Sequence, residues 1–569
     1  MTRKLLPLIC LVLLAPSVWA QQAPPPEPAP QAQPAPSGAV TRPEDVLGQD
    51  RLITLQEAVA LGLEYNLGLQ IIRNDPAFAR EEERAAWGGW EPNLIANYER
   101  AHNETPITSS LQAFLGTTGN RTIDNFENAD VGIAGVLPWG LSYASTYSND
   151  RVSSNSGLYA FKPQYLALWS TQVTVPLLRD LFWGPVDLQV KRSEIGREIS
   201  DATFQTQLTD GVFVVESTYW TLAAARALER ATQQAVDTAG DTLEQTKVRY
   251  QVGTASRIEV TQAEANLAQR EAEHITALNA VARSQDNLLT VILAPNIGDY
   301  ANTTVRTEDP TFVDYPVNAE EALEKARARR PELFAAQKNV EDADVLERYA
   351  WNQKLPALDV IASYSNNGVS GNQKTPADPT VFKFRDDPNT PVFDGLPFPG
   401  APDLGFSDKR YGANEDFFDG NGFHGYGARL AFSYPIGNDT ADARYVQSKI
   451  GLRRANTNLR RVEQDVVVNV RSAVRDLQSS IDRVRAAERA RIASAEALRA
   501  EEEKLRLGES TPHDVQTFQE NLLRAQGTEI DALQNYRIAI SALERAQGTL
   551  LEARGISVDD ERVRGLEEY

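Results

Sequence analysis

The sequence has very few of the residues on which disulfides, metal sites and enzyme chemistry depend. Its one cysteine, Cys10, lies in an apolar run near the N-terminus, so the mature chain is expected to have neither a disulfide nor a reactive thiolate. The four histidines lack the spacing of metal ligands, and the sequence has neither a nucleophile elbow nor a phosphate-binding loop. We therefore expect no enzymatic activity, no metal and no cofactor. The histidines are His102, His274, His424 and His513.

Excess positive charge and long apolar runs are absent as well. The net charge is -21, which argues against nucleic acid as a partner because its phosphates would be repelled. After the N-terminal run there is no apolar stretch of about 18 residues, so no helix is expected to cross a bilayer. A chain of this kind could still be periplasmic, released, or part of an outer membrane as a β-barrel. The choice depends on its strands.

The N-terminus has the pattern of a secretory signal peptide. Arg3 and Lys4 precede the apolar residues 5–15, and small residues lead to Ala20, after which cleavage is expected. The apolar run is short for a membrane anchor, which needs roughly 20 residues. Residues 21–51 are rich in proline and are expected to form an extended tether.

The remaining chain repeats one plan. Thr54 with Glu57 predicts a capping box at the start of a helix, and Asn318 with Glu321 predicts a comparable start. Trp87 and Trp351 are 264 positions apart, as are Pro92 and Pro356. Internal duplication explains this best, with repeats at residues 52–294 and 317–554, a linker at 295–316 and an acidic tail at 555–569.

Strands are predicted where apolar and polar residues alternate. These segments are residues 92–101, 165–176, 356–366 and 426–435, and a hairpin at residues 131–150 would add two more. A soluble sandwich could have such strands too. The aromatic residues clustered between positions 139 and 169 instead favour strands that cross a bilayer, where aromatic girdles lie at both interfaces.

The helices are predicted to be unusually long. Residues 187–250 and 440–507 contain no proline, and each could extend roughly 95–100 Å. Gly253 and Gly508 end these helices, and Ser256 and Thr511 are placed to cap the returning helices at residues 257–293 and 512–553. An ordinary elongated coiled coil would explain the helices equally well, but not the strands.

One chain is expected to be too small to close a cylinder. Four to six strands are fewer than the roughly eight that a barrel needs, so other copies of the chain must close the edges. Pro176 and Pro435 are expected where strand pairing ends, because proline lacks the donor that a continued ladder requires. Trp87 and Trp351 are expected to pack at an interface or junction rather than to contact substrate.

At this point the sequence resembles the TolC-like outer membrane efflux proteins. The resemblance rests on the order and duplication of the segments, including residues 55–58 (LQEA), 173–178 (VTVPLL), 432–437 (FSYPIG) and the two glycine-centred tips. It implies a mixed α and β fold: a homotrimeric outer-membrane β-barrel continuous with a long periplasmic α-helical barrel. It also implies a Gram-negative outer-membrane location, a periplasmic adaptor (a membrane fusion protein) and an inner-membrane pump as partners, outer-membrane lipid around the wall, and a passive exit duct.

The resemblance extends only in part to the periplasmic tips. Asp514 matches the first acid of the family's pore entrance, and Glu259 is its counterpart in the first repeat. The second acidic position holds Thr517, and the family's Tyr and Arg positions hold Leu505 and Ser510, so these gate residues of the family are not matched. Three Asp514 carboxylates would ring the entrance and favour cations. The alternative is an acid that only stabilises the start of its helix.

By analogy with the family, the tip turns near Gly253 and Ser256 and near Gly508 and Thr511 are expected to contact the adaptor. Two other functions remain possible from the sequence: a periplasmic structural coiled-coil protein that does not conduct, and a diffusion porin, against which the long helices argue. The sequence does not name the exported substrate, because the contacts that select it belong mostly to the pump.

Overall fold

The computed structural model describes residues 51–108, 120–155, 161–293, 304–373, 407–409, 411–418 and 422–557. The expected signal peptide, residues 21–50 of the expected tether and residues 558–569 of the expected acidic tail lie outside these ranges. So do residues 374–406 of the long polar segment between the last two predicted strands.

The first half of the chain runs from a short strand to a helical hairpin. Its elements are β1 (Arg51–Ile53), α1 (Leu55–Tyr65), α2 (Leu67–Ile72), α3 (Asn74–Trp87), β2 (Asn93–Pro106), β3 (Arg121–Val136), β4 (Ser142–Ser154), β5 (Phe161–Pro176), α4 (Pro185–Gln251) and α5 (Arg257–Ile292).

The second half follows a similar plan. Its elements are β6 (Val305–Thr307), α6 (Ala319–Arg329), α7 (Pro331–Asn352), β7 (Ala357–Gln373), α8 (Gly412–Phe418), β8 (Phe423–Ser433), α9 (Asp439–Leu507), α10 (Pro512–Gln547) and α11 (Leu550–Ala553).

Six strands form one antiparallel sheet in the order β2-β3-β4-β5-β7-β8. The hairpin considered at residues 131–150 is present as the end of β3 and the start of β4. Its turn places Trp139 and Gly140 at φ of 79° and 86°, and the Leu137 amide donates to the Leu141 carbonyl over 2.7 Å. The number of strands that each chain gives to this sheet, open between four and six from the sequence, is six in the described residues, and β1 and β6 pair in a separate two-stranded parallel sheet.

Several element bounds differ from those expected. The returning helix predicted over residues 512–553 is broken after Gln547, because Gly548 adopts φ of 71° and caps the helix before α11 begins. Strand β2 continues to Pro106 and β7 to Gln373, beyond the predicted ends at residues 101 and 366. In both strands polar residues occupy the extra length, so apolar alternation gives no signal there.

The helices lie side by side at two levels along the long axis of the molecule. Helix α4 has 67 residues and α9 has 69, which makes each about 100 Å long. Next to the sheet the contact order is α3-α4-α7-α9, and towards the hairpin turns it is α5-α4-α10-α9. Four helices therefore lie abreast at either level, and α9 is an edge helix along its whole length.

Each half has its own hydrophobic core, where the opening helix packs on the two long helices of that half. Helix α1 packs on α4 and α5, and α6 packs on α9 and α10. The first core centres on Tyr219, whose hydroxyl donates to the Ile53 carbonyl over 2.9 Å. The second centres on Tyr536, whose hydroxyl donates to the Val313 carbonyl. The capping box expected between Thr54 and Glu57 is formed.

None of the helices in the described part of the chain has an apolar stretch long enough to cross a membrane.

Candidate functional site

The sheet has one apolar and one polar face over the half that adjoins the long helices. Side chains alternate between faces along a strand, so the pairing register assigns each residue to a face. The apolar face carries Leu94, Val131, Ile133, Val173, Val175, Val360, Leu430 and Phe432, then Tyr147, Trp169, Tyr364 and Tyr426 further from the helices, and Tyr98 at its far limit. The polar face carries Asn97, Asp130, Thr146, Gln172, Ser363 and Arg429.

Several polar groups on the apolar face have hydrogen-bond partners within the sheet. The Trp169 indole donates to Ser145 Oγ over 2.9 Å, and the Ser145 and Thr171 hydroxyls lie 2.9 Å apart. The Tyr364 hydroxyl and His424 Nδ1 are 3.1 Å apart. A face turned to lipid requires such internal pairing, since hydrocarbon offers no hydrogen-bond partner.

The strand ends that join helices all meet at one edge of the sheet. Strands β2 and β7 begin there after α3 and α7, and β5 and β8 end there before α4 and α9. Pro176 is the last residue of β5, but pairing resumes beyond it, because the Leu177 amide donates to the Leu358 carbonyl over 2.8 Å. Strand β8 ends at Ser433, two residues before Pro435. The expectation that these prolines end the ladders is therefore wrong in detail, although both lie at the junction.

The two tryptophans paired by the repeat lie beside this junction. Trp87 is half-exposed and packs edge to face on Trp90, with ring centroids 5.0 Å apart. Trp351 is also half-exposed. Its neighbour Asn352 is buried and accepts a hydrogen bond from the Asp180 amide over 2.8 Å, which joins α7 to the segment after β5.

The first tip has the helix-ending glycine and the helix cap that the sequence predicts. Gly253 follows α4 with φ of 78°, and its amide donates to the Tyr250 carbonyl. No atom lies within 4 Å of a Cβ built on Gly253, so backbone conformation rather than space requires glycine here. Ser256 caps α5: the Glu259 amide donates to its hydroxyl over 3.3 Å, and the Ser256 amide donates to the Glu259 carboxylate over 3.0 Å.

The second tip repeats this arrangement. Gly508 has φ of 82°, and Thr511 and Asp514 form a capping box at the start of α10. The Asp514 carboxylate accepts from the Thr511 hydroxyl over 2.6 Å and from the Thr511 amide over 3.2 Å. These hydrogen bonds lower the pKa of Asp514, because they stabilise its ionised form. The carboxylate is therefore charged and already engaged within its own turn.

The second tip contains a hydrogen-bond network that the sequence did not predict. Glu501 is 8% exposed, and its carboxylate accepts from the Ser510 hydroxyl over 2.5 Å and from Lys504 Nζ over 2.9 Å. The two contacts lower the pKa of Glu501. Ser510 occupies the position at which the family pattern has arginine, and here it ties the turn to α9. The one signal in the sequence is the Glu501–Lys504 spacing of three residues.

The two tips lie at the same end of the chain. The hairpins α4/α5 and α9/α10 run side by side, and Arg270 Nη2 lies 4.0 Å from the Glu520 carboxylate at similar depth in both. The tips, carrying Gly253 and Gly508, are thus about 100 Å from the sheet junction, by the length of the helices between them.

Both lateral edges of the molecule lack partners within the described residues. Strands β2 and β8 each pair with one neighbour in the sheet. Helix α9 buries Val466, Val470 and Leu477 against its own chain. On the opposite side it exposes a second apolar row of Val446, Ile450 and Val468. Ile450 follows Val446 by four residues, and Val468 follows Ile450 by 18 residues, which is five full helical turns.

No group of three or more potential metal ligands occurs among the described residues. The arrangement consists of a two-faced sheet, a helical wall and two capped turns.

A family model described as "Outer membrane efflux protein" matches residues 126–292 and 322–549. The two matches end close to the ends of α5 and α10, and the second begins in α6. They correspond to the two repeats inferred from the paired tryptophans and prolines.

The chain is also similar to individual members of known structure or function. It is 24% identical over 468 residues to the outer membrane protein TolC of Escherichia coli strain K12, covering 81% of this chain and 83% of TolC. The Campylobacter jejuni CmeC outer membrane channel has a TM-score of 0.60 at 14% identity, covering 89% of this chain and 87% of that one. The Vibrio cholerae outer membrane protein VceC has a TM-score of 0.57 at 16% identity, covering 87% and 96%.

Proposed function

The chain belongs to the outer membrane efflux protein family, and we propose on that premise that it is the passive exit duct of a tripartite export system. Three copies would join their sheets into an outer-membrane β-barrel and their helices into a tunnel across the periplasm. Substrate would enter at the helical tips and leave through the barrel. No step requires catalysis, because the pump supplies the driving force.

One observation supports this proposal above the others: a six-stranded sheet with an apolar face, whose two edges are unpaired within the described residues, continues into helices about 100 Å long. An unpaired strand edge beside lipid would leave amide and carbonyl groups without partners. Pairing β8 of one copy with β2 of the next satisfies both edges by the same contact, and such a head-to-tail contact closes into a ring.

The sheet and the helices fit a wall of one circumference. Strands about 4.8 Å apart and tilted about 40° give each chain roughly 38 Å of arc from its six strands. Four helices about 10 Å apart give roughly 40 Å. Three copies would then make an eighteen-stranded cylinder about 35 Å wide above a tunnel of twelve helices. Because the two arcs agree, the wall can pass from strands to helices without a step.

The tips at Gly253 and Gly508 are the proposed contact with the periplasmic adaptor, which would connect the duct to the inner-membrane pump. Their exposed turns lie at the end far from the sheet. The capping boxes of Ser256 and Thr511 fix the start of each returning helix and so give the adaptor a rigid surface.

The experiment that tests the proposal is purification followed by reconstitution in planar lipid bilayers. The protein should require detergent for extraction, have the mass of a trimer by native mass spectrometry and produce single-channel currents. A water-soluble protein that gives no current would instead support the structural coiled-coil alternative and remove the duct.

Assembly should depend on the outward apolar row of α9. Val468 is 61% exposed in the single chain, and we expect Val468→Asp to leave mostly monomer, because the trimer contact would bury an unpaired charge. Asn469→Asp is the matched control: it adds the same charge at the next residue, which is also exposed but lies on another side of the helix. If native mass spectrometry found both variants equally trimeric, the assignment of this row to the subunit contact would be wrong.

Asp514 should influence ion preference at the tunnel entrance. Three converging carboxylates favour cations, so Asp514→Asn should lower the cation-to-anion permeability ratio. Thr511→Ala separates this effect from helix capping: it breaks the hydroxyl hydrogen bond of the capping box but keeps the charge, and it should leave the ratio unchanged. Reversal potentials in a salt gradient measure both. An unchanged permeability ratio in Asp514→Asn would mean that Asp514 only stabilises the start of α10 and does not select ions.

A further inference from the structure

A short segment after the long polar insertion packs onto the sheet. We call residues 407–409 and 411–418 the outer cap. Within it, Asn414 Oδ1 accepts from the Tyr147 hydroxyl over 2.7 Å and from Asn149 Nδ2 over 2.9 Å. The Phe417 ring lies edge to face on Tyr147 and Trp169, with centroids 5.8 Å and 6.2 Å apart. The cap therefore covers the row of Tyr147 and Trp169 and the sheet just beyond it.

The contact is closely fitted rather than incidental. The Gly371 amide donates to the Ser407 carbonyl over 2.9 Å, and the Ser370 hydroxyl donates to the Lys409 carbonyl over 3.0 Å. A Cβ on Gly368 would come within 1.9 Å of the Ala413 carbonyl oxygen, so strand β7 has room for the cap only because this residue is glycine.

The register places the cap on the apolar face. Tyr147, Trp169 and Asn366 form one cross-strand row, and they lie on the same face as Val131 and Val173. In the next row Asn149 lies among Tyr98, Ala129 and Ala167, and the row after it is largely polar, with Arg100, Glu127, Arg151 and Ser370. Facing lipid, such polar groups would find no hydrogen-bond partner in the hydrocarbon. The cap supplies partners to Tyr147, Asn149 and Ser370.

The cap lies over the end of the apolar band that is far from the helices. From the Leu358–Phe432 pair to the row of Tyr98, Ala129 and Ala167, the band spans ten residue steps, about 33 Å along the strand and roughly 25 Å along the membrane normal at a tilt of about 40°. An outer-membrane wall needs an apolar band of about 25 Å. The cap therefore covers the last rows of this band and the polar row that follows.

From these contacts we infer that the outer cap is a lipid-facing element, which covers the polar part of the outward wall and itself lies in the headgroup layer of the outer leaflet. This inference rests on the proposed duct. The exposed side of the cap carries Tyr411 with Lys409 and Glu415, and an aromatic ring among charges suits the headgroup layer better than the hydrocarbon interior.

Site-directed spin labelling tests the inference directly, because Cys10, the one cysteine in the sequence, lies in the expected signal peptide and leaves the mature chain free of competing thiols. Nitroxides are attached at Glu415→Cys, Val131→Cys and Thr146→Cys in protein reconstituted in lipid bilayers. Accessibility to oxygen and to a water-soluble nickel complex is then compared. We expect Val131 to report the bilayer interior, Thr146 to report water, and Glu415 to report an intermediate, interfacial depth.

The controls distinguish the two proposals. If Glu415 matched Thr146 while Val131 lay in lipid, the cap would be in water, and this inference would fail while the duct stood. If Val131 were itself in water, the duct would fail. Adding Gly368→Val, which displaces the cap from β7, should shift the Glu415 label towards water without moving the Val131 label. An unshifted Glu415 label would overturn the assignment.

Discussion

Replacing Val173 by arginine should largely abolish the assembled, membrane-inserted form of this protein. Val173 lies near the middle of the apolar band, on the strand that joins α4. An arginine near the bilayer midplane on the lipid face costs about 2–4 kcal/mol, and the trimer would carry three of them. The expected loss of heat-stable trimer is measured by semi-native electrophoresis of outer-membrane fractions.

Gln172→Arg is the control for this prediction. Gln172 is the preceding residue on the same strand, and its side chain is exposed on the polar face, so the arginine would stand in water inside the duct. We expect normal trimer yield and altered ion selectivity. Equal loss of trimer in both variants would mean that the two faces of the sheet are not turned to lipid and water as proposed.

The second large effect is expected at a buried ionic cluster between the two halves. Glu216 of α4 is fully buried, and Arg554 donates to its carboxylate over 2.5 Å and 3.0 Å. Ser541 of α10 donates to the same carboxylate, and Arg554 also lies 3.1 Å from Glu544. Burial raises the pKa of Glu544, and the arginine opposes this rise. One cation thus ties α4, α10 and the segment after α11 together.

Arg554→Met should destabilise the chain by about 3–5 kcal/mol, because it leaves Glu216 charged and unpaired in a buried site. Arg545→Met is the matched control. Arg545 also joins α10 to α4, through Asp210 at 2.7 Å, but its side chain is 42% exposed and that of Asp210 is 46% exposed. A pair of this exposure contributes about 0–1 kcal/mol. Thermal unfolding followed by circular dichroism in detergent compares the two; similar small shifts would contradict the argument.

The parts predicted from the sequence are those governed by local rules. The long helices were visible because proline is absent and because Val466, Val470 and Leu477 recur at helical spacing. The caps at Ser256 and Thr511 were visible because each residue follows a helix-ending glycine by three positions and directly precedes the next helical segment. Chain-local patterns of this kind do not depend on what lies across the fold.

The parts missed depend on contacts between distant segments. Strands β2 and β7 extend through polar residues because a paired neighbour, rather than their own alternation, holds them extended. Glu216 and Arg554 are 338 residues apart, so no spacing in the sequence signals their pairing. The prolines at positions 176 and 435 mark the junction, but the neighbouring strands decide where the ladder ends.

By itself, the sequence determined that two similar halves each carry a helical hairpin with a glycine-ended, capped turn, since periodicity, composition and spacing are properties of consecutive residues. Only the tertiary structure decided that six strands share one sheet, which residues form its apolar face, and that a cap covers the upper part of that face. The reason is physical: pairing register and burial are set by contacts between residues hundreds of positions apart. Neither residue of such a contact carries a sequence pattern that identifies the other.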